Sequence, residues 1–120
     1  MNKKFALLLM ANLLIASAAS ASVKYAKVCN LEATPVEFSV KGKTLIVKTA
    51  EGKDSFKIAS VHEASRKDLR EADWFPEVRL TAATIYVLDS GIGIILAVDK
   101  DGIQHTLSDF GDHGDSKSCK

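Results

Sequence analysis

Residues 108–120 read SDFGDHGDSKSCK and hold the densest set of metal-ligating side chains in the sequence. Asp109, Asp112, His113 and Asp115 fall within seven residues, and Gly111 and Gly114 between them would let the backbone curl round an ion. Aspartate and imidazole together suit zinc or another transition metal, and aspartates alone suit calcium. The spacing matches no established ligand motif, and acidic glycine-rich segments also serve as solvated loops. Cys119 gives the segment a second use. A disulfide to Cys29 would need an arm that bends and stays wet, and glycines with polar residues supply one. The arm is the first reading of the tail, and the metal site is the alternative. No cofactor is expected.

Other stretches come close to catalytic motifs and miss. "HEASR" at 62–66 starts like a zincin helix, but Arg66 stands where the second imidazole is needed one turn on. "DKDG" at 99–102 has glycine at its fourth position, where a calcium-binding EF-hand loop needs it at the sixth. Asp89-Ser90-Gly91 is similar to the D-[ST]-G turn of aspartic proteases. In that family most of the fold follows the motif, and here only residues 92–120 do. There is no G-x-S-x-G nucleophile elbow. Gly91-x-Gly93 lacks the third glycine and the following helix of a dinucleotide fingerprint. His62, His105 and His113 fall on a loop, on the outer face of a strand and in the tail, each expected as a solvated surface group. These misses argue against an enzyme.

Strands must position whatever the protein binds with. "VEFSVKG" places Val36, Phe38 and Val40 on one face and Glu37, Ser39 and Lys41 on the other. "TLIVKT" and "DSFKIASV" repeat the period. "EVRLTAATIYVLD" shifts phase between Thr84 and Ile85, which suggests a bulge or two abutting strands. "IGIILAV" is apolar on both faces, as a central buried strand is. Lys41-Gly42-Lys43, Glu51-Gly52-Lys53 and Asp99-Lys100-Asp101-Gly102 read as turns, the last a hairpin with Gly102 left-handed.

One segment breaks the strand pattern. In "SVHEASRKDLREADWFP" the spacing Ser65-x-x-Asp68 is that of a capping box, and Pro76 stops the run. A short helix is expected near 65–73, with Leu69 and Ala72 inward, Glu63 and Lys67 as a favourable pair and Arg66 and Arg70 as a repelling one. Trp74 and Phe75 follow it. They cap one end of the core or, with Arg79, anchor a partner protein.

The first 21 residues, MNKKFALLLMANLLIASAASA, carry two lysines, an apolar run and Ala19-Ser20-Ala21 in an A-x-A pattern. That is a secretory signal peptide, and the apolar run is too short to span a bilayer. Residues 22–120 are then a single β-rich domain, periplasmic or secreted, with no membrane span after cleavage. The whole chain has a net charge of +1, and losing Lys3 and Lys4 makes it slightly acidic. It has no electrostatic footprint for nucleic acid. Its two cysteines favour a disulfide in an oxidising compartment.

The sequence therefore predicts a mainly β fold: a small antiparallel barrel or sandwich of about six or seven strands, one short helix and a Cys29–Cys119 disulfide. The function it favours is a non-enzymatic binding domain, an inhibitor or accessory of another exported or envelope protein. Trp74, Phe75 and Arg79 are the candidate contacts.

Overall fold

Alternating side chains sort to two faces of each strand, and here the sheet they form closes on itself. A computed structural model describes residues 22–30, 33–71, 74–75, 78–109 and 113–119. The expected signal peptide lies outside these residues. The strands are β1 (Tyr25–Cys29), β2 (Pro35–Lys41), β3 (Thr44–Thr49), β4 (Gly52–Glu63), β5 (Leu80–Leu88), β6 (Gly93–Asp99), β7 (Gln104–Ser108) and β8 (His113–Asp115). A helix α1 (Arg66–Glu71) joins β4 to β5. Each strand pairs antiparallel with the next, and β8 returns to β1, giving a closed eight-stranded barrel.

The expected barrel is thus found, with eight strands in place of six or seven. The additional strand is β8, cut from the tail read as a wet arm. Gly114 is buried there and faces Thr106 of β7 across the ladder. A Cβ on Gly114 would lie 3.0 Å from the Cys29 carbonyl oxygen and 3.1 Å from Val28 Cγ2. Glycine is required at this position by the close pass of β8 over β1. Gly114→Ala is expected to cost about 1–3 kcal/mol, as overpacking does, and a chemical denaturation series would read it.

The seam between β1 and its returning neighbours is thin. Among the described residues one pair, Cys29↔Asp115, joins β1 to β8. The Cys29–Cys119 disulfide lies beside it, with Cα atoms 5.1 Å apart. Further along, the Gln104 side chain stands in for a missing strand. Its Oε1 accepts from the Lys27 N–H at 3.0 Å, and its Nε2 donates to the Tyr25 carbonyl at 3.0 Å.

Inside, Ala26, Val28, Leu45, Ile58, Tyr86, Leu88, Ile94 and Leu96 form the core, with Phe38, Val40 and Val47 packed on it. The pairs Ala26↔Phe38, Val40↔Leu45, Ile58↔Leu88 and Tyr86↔Ile94 keep this set on one face. A second cluster lies on the outer face of β5–β7. It holds Ala83, Ile95 and Ala97 under Leu69, Trp74 and Phe75. This is why β5 and β6 are apolar on both faces: one side fills the barrel and the other is roofed by α1 and the aromatic pair. The phase shift in β5 is a bulge near Thr81, between Leu80 and Ala82 rather than at Thr84–Ile85. It turns Leu80 to the outer cluster, and Thr81 Oγ1 donates to the Val98 carbonyl at 3.2 Å.

The capping box forms as expected. The Asp68 N–H donates to Ser65 Oγ at 3.1 Å, and the Ser65 N–H donates to Asp68 Oδ2 at 3.0 Å. The Ser65 backbone N–H, then its hydroxyl, hold the Asp68 carboxyl below its ordinary value, with His62 adding to the effect. Two local expectations fail because β4 runs on to Glu63. His62 is an exposed strand residue rather than a loop residue, and Glu63 meets Ser22 instead of pairing with Lys67 on a helix.

Candidate functional site

The two ends of the barrel differ. At one end the chain entering β1 closes the interior. The Val23 N–H donates to Thr84 Oγ1 at 2.9 Å, and the Tyr86 hydroxyl donates to the Val23 carbonyl at 2.7 Å. Burial pushes the Tyr86 phenol above its ordinary pKa, so it stays a donor. At the other end, the core face continues into a cavity of about 480 Å³. Val36, Phe38, Val47 and Phe56 form one wall, and Leu88, Ile92 and Ile94 form the other.

The cavity exists because β4 changes partners. Residues 52–57 pair with β3, and residues 58–63 pair with β5. Beyond Ile58 towards the open end, β5 gives way to the Asp89–Gly91 turn, so among the described residues no strand covers that flank. Gly91 takes φ +93°, and its N–H donates to the Leu88 carbonyl at 2.8 Å. Phe56, 40 % exposed, stands at the gap.

Polar groups in the lining are few. Thr106 and Ser108 project from β7 opposite Leu96 and Ile94, on the core face. Ser108 Oγ is buried and has no hydrogen-bond partner. A buried hydroxyl left unpaired costs about 1–3 kcal/mol, and most such groups in folded proteins find a partner. An apolar cavity of a few hundred Å³ in the mouth of a β-barrel, with few polar groups in its wall, has the form of a small-molecule site.

No family model, curated protein or solved structure matches the chain. What the protein can bind must be read from its own geometry.

Of the residues singled out in the tail, Asp109 and Asp115 are separately engaged. Asp109 Oδ2 accepts from the Gly93 N–H at 2.6 Å at the start of β6. Asp115 caps the 3-10 turn Ser116–Ser118, its Oδ1 accepting from the Ser118 N–H at 2.7 Å. Asp112 lies outside the described residues, and His113 is placed by its backbone in β8. Among the described residues no three His, Cys, Asp or Glu side chains gather in a way that could hold a metal ion.

Trp74 and Phe75 are half-buried on the outer cluster, and Arg79 is exposed on the lead-in to β5. The Phe75 ring lies 5.2 Å from that of His105. His105 itself is a correction. Expected on a solvated outer face, it is on the outer face but only 8 % exposed, because Phe75 and its neighbours roof it. Its Nε2 lies 2.9 Å from Asp99 Oδ2. Asp99 Oδ1 accepts from the Asp101 and Ile103 N–H groups at 2.8 and 3.0 Å. Burial alone would raise the Asp99 carboxyl, but the His105 ring and these two N–H groups outweigh it and hold it below its ordinary value. The pair resembles half of a catalytic relay. Through these bonds the pair pins the β6–β7 turn.

Sequence reasoning missed Thr106 and Ser108. Their signal was present: two hydroxyls in "HTLS" two residues apart, in phase with the core face of a strand beside the apolar β6.

Proposed function

We propose that this protein is an exported, non-enzymatic binding barrel that holds a small, largely apolar molecule in its open end. The observation that carries this reading is the cavity with an unpartnered buried hydroxyl in its wall. Apolar walls supply affinity through burial, at about 25 cal/mol per Å². The Ser108 hydroxyl then favours a ligand bearing one polar group, an alcohol or a carboxylic acid, over a plain hydrocarbon. The Cys29–Cys119 bridge supports export to an oxidising compartment. Among the described residues no helix is long and apolar enough to cross a membrane.

The fluorescence of N-phenyl-1-naphthylamine tests the reading. The neutral probe should bind saturably at one site and be displaced by 1-decanol. Ile92→Trp fills the mouth from a turn and is expected to weaken binding about tenfold or more, with an unchanged melt. Ser108→Ala should weaken the alcohol by several-fold, the worth of about one hydrogen bond, and spare the probe. No saturable binding by the unaltered protein would sink the proposal.

A further inference from the structure

β8 forms part of the cavity wall. Gly114 lines the cavity together with Val28 of β1 and Thr106 and Ser108 of β7. In the ladder it stands between those strands. It pairs with Thr106 on one side, and on the other it lies against Val28 and the Cys29 carbonyl. At the cavity end of the seam, then, β8 fills the space between β7 and β1. Further along, the Gln104 amide spans that space instead.

β8 is held lightly. It is three residues long, and it makes three register pairs with β7 and, among the described residues, one with β1. A pairing that short is marginal in water. Its other anchors follow it directly in the chain. Asp115 caps the turn Ser116–Ser118, Ser116 Oγ accepts from the Gln104 N–H at 2.9 Å, and Cys119 closes the bridge to Cys29. Cys29 in turn lies between two residues of the lining, Val28 and Asn30.

We infer that the Cys29–Cys119 bridge is a redox control on the ligand site, an inference that rests on the cavity reading above. With the bridge closed, β8 seals the wall. Reduction frees β8 and opens a slot between Val28 and Thr106, through which water enters and an apolar ligand leaves. Local release of a segment with few contacts costs far less than global unfolding. The bridge is approached from one side, because Cys29 is 3 % exposed while Cys119 is half-buried. A thiolate of a dithiol attacks the Cys119 sulfur, the S–S bond breaks, and Cys29 leaves as a thiolate that takes up a proton. The second sulfur of the dithiol then displaces Cys119. The products are two protein thiols and one oxidised dithiol, with two electrons transferred. The coupling is reciprocal: a ligand that prefers the closed wall must also shield the bridge.

The test uses the oxidised protein, N-phenyl-1-naphthylamine, 1-decanol and dithiothreitol. Probe titration comes first, and its failure to saturate would end the cavity reading and this inference together. With binding established, bridge reduction is followed by thiol trapping and mass. 1-Decanol at about nine times its dissociation constant should slow reduction about tenfold, since it protects the closed wall alone. Ile92→Trp, with its mouth filled, should lose most of that protection. Reduction of the free protein should depend on urea far less than global unfolding does, because freeing β8 exposes little surface. A reduction rate unmoved by 1-decanol would overturn the inference and leave the cavity reading standing. So would a urea dependence as steep as that of global unfolding, or reduced protein that keeps its far-ultraviolet dichroism and binds the probe as tightly as before.

Discussion

Replacing Cys29 and Cys119 together by serine is expected to destabilise the protein by roughly 4–5 kcal/mol. The two residues are 90 apart in sequence, so the bridge removes a long loop's freedom from the unfolded chain. The folded side of the balance makes the loss harder to absorb. Among the described residues β1 meets β8 through one pair, and the Gln104 amide supplies two further hydrogen bonds across the gap. For a domain near 100 residues, this loss should lower the melting midpoint by about 15 °C or more. Melts of the reduced protein and the double serine variant should agree with each other and fall well below that of the oxidised protein. A shift of only a few degrees would show that the seam holds without the bridge.

Asp99→Ala is expected to destabilise the protein by about 3 kcal/mol. Removing one partner of a buried pair strands the other. Here it also frees the Asp101 and Ile103 N–H groups that shape the β6–β7 turn. The carboxyl also sets a pH dependence. Its folded value lies below the ordinary one, so its contribution is fully present above the unfolded value of about 3.9. That contribution fades as pH falls through the depressed folded value. Asp99→Asn, which keeps the shape, should flatten that acid limb. Denaturation midpoints taken from about pH 5 down to about pH 2 would show the two slopes diverge, and parallel slopes would mean that other carboxylates govern acid unfolding.

Much of the barrel was legible from local rules. Alternation in "VEFSVKG" and the glycine turns fixed strands because period two and left-handed backbone are properties of neighbouring residues. The capping box of Ser65 and Asp68 was readable for the same reason. What could not be read depends on pairings distant in sequence. His105 looked solvated because nothing local says that Phe75 will lie over it. Gly114 looked like part of a flexible arm because its contact is with Cys29 and Val28, at the far end of the chain. The cavity escaped notice because it arises from β4 exchanging one neighbour for another midway, and no single strand records that exchange.

The seam between β1 and β8 also fixes an order of events during synthesis. β1 leads and its second neighbour follows almost the whole domain later, so seven strands can assemble while two edges stay open. Open edges invite other chains, and contacts so remote in sequence form slowly. Cys29 spends that interval as a thiol. With only two cysteines it has no wrong partner in its own chain, but it can be captured by a neighbouring molecule. Covalently linked dimers, rather than scrambled monomers, are therefore the expected by-product when the chain is made faster than its ends can meet.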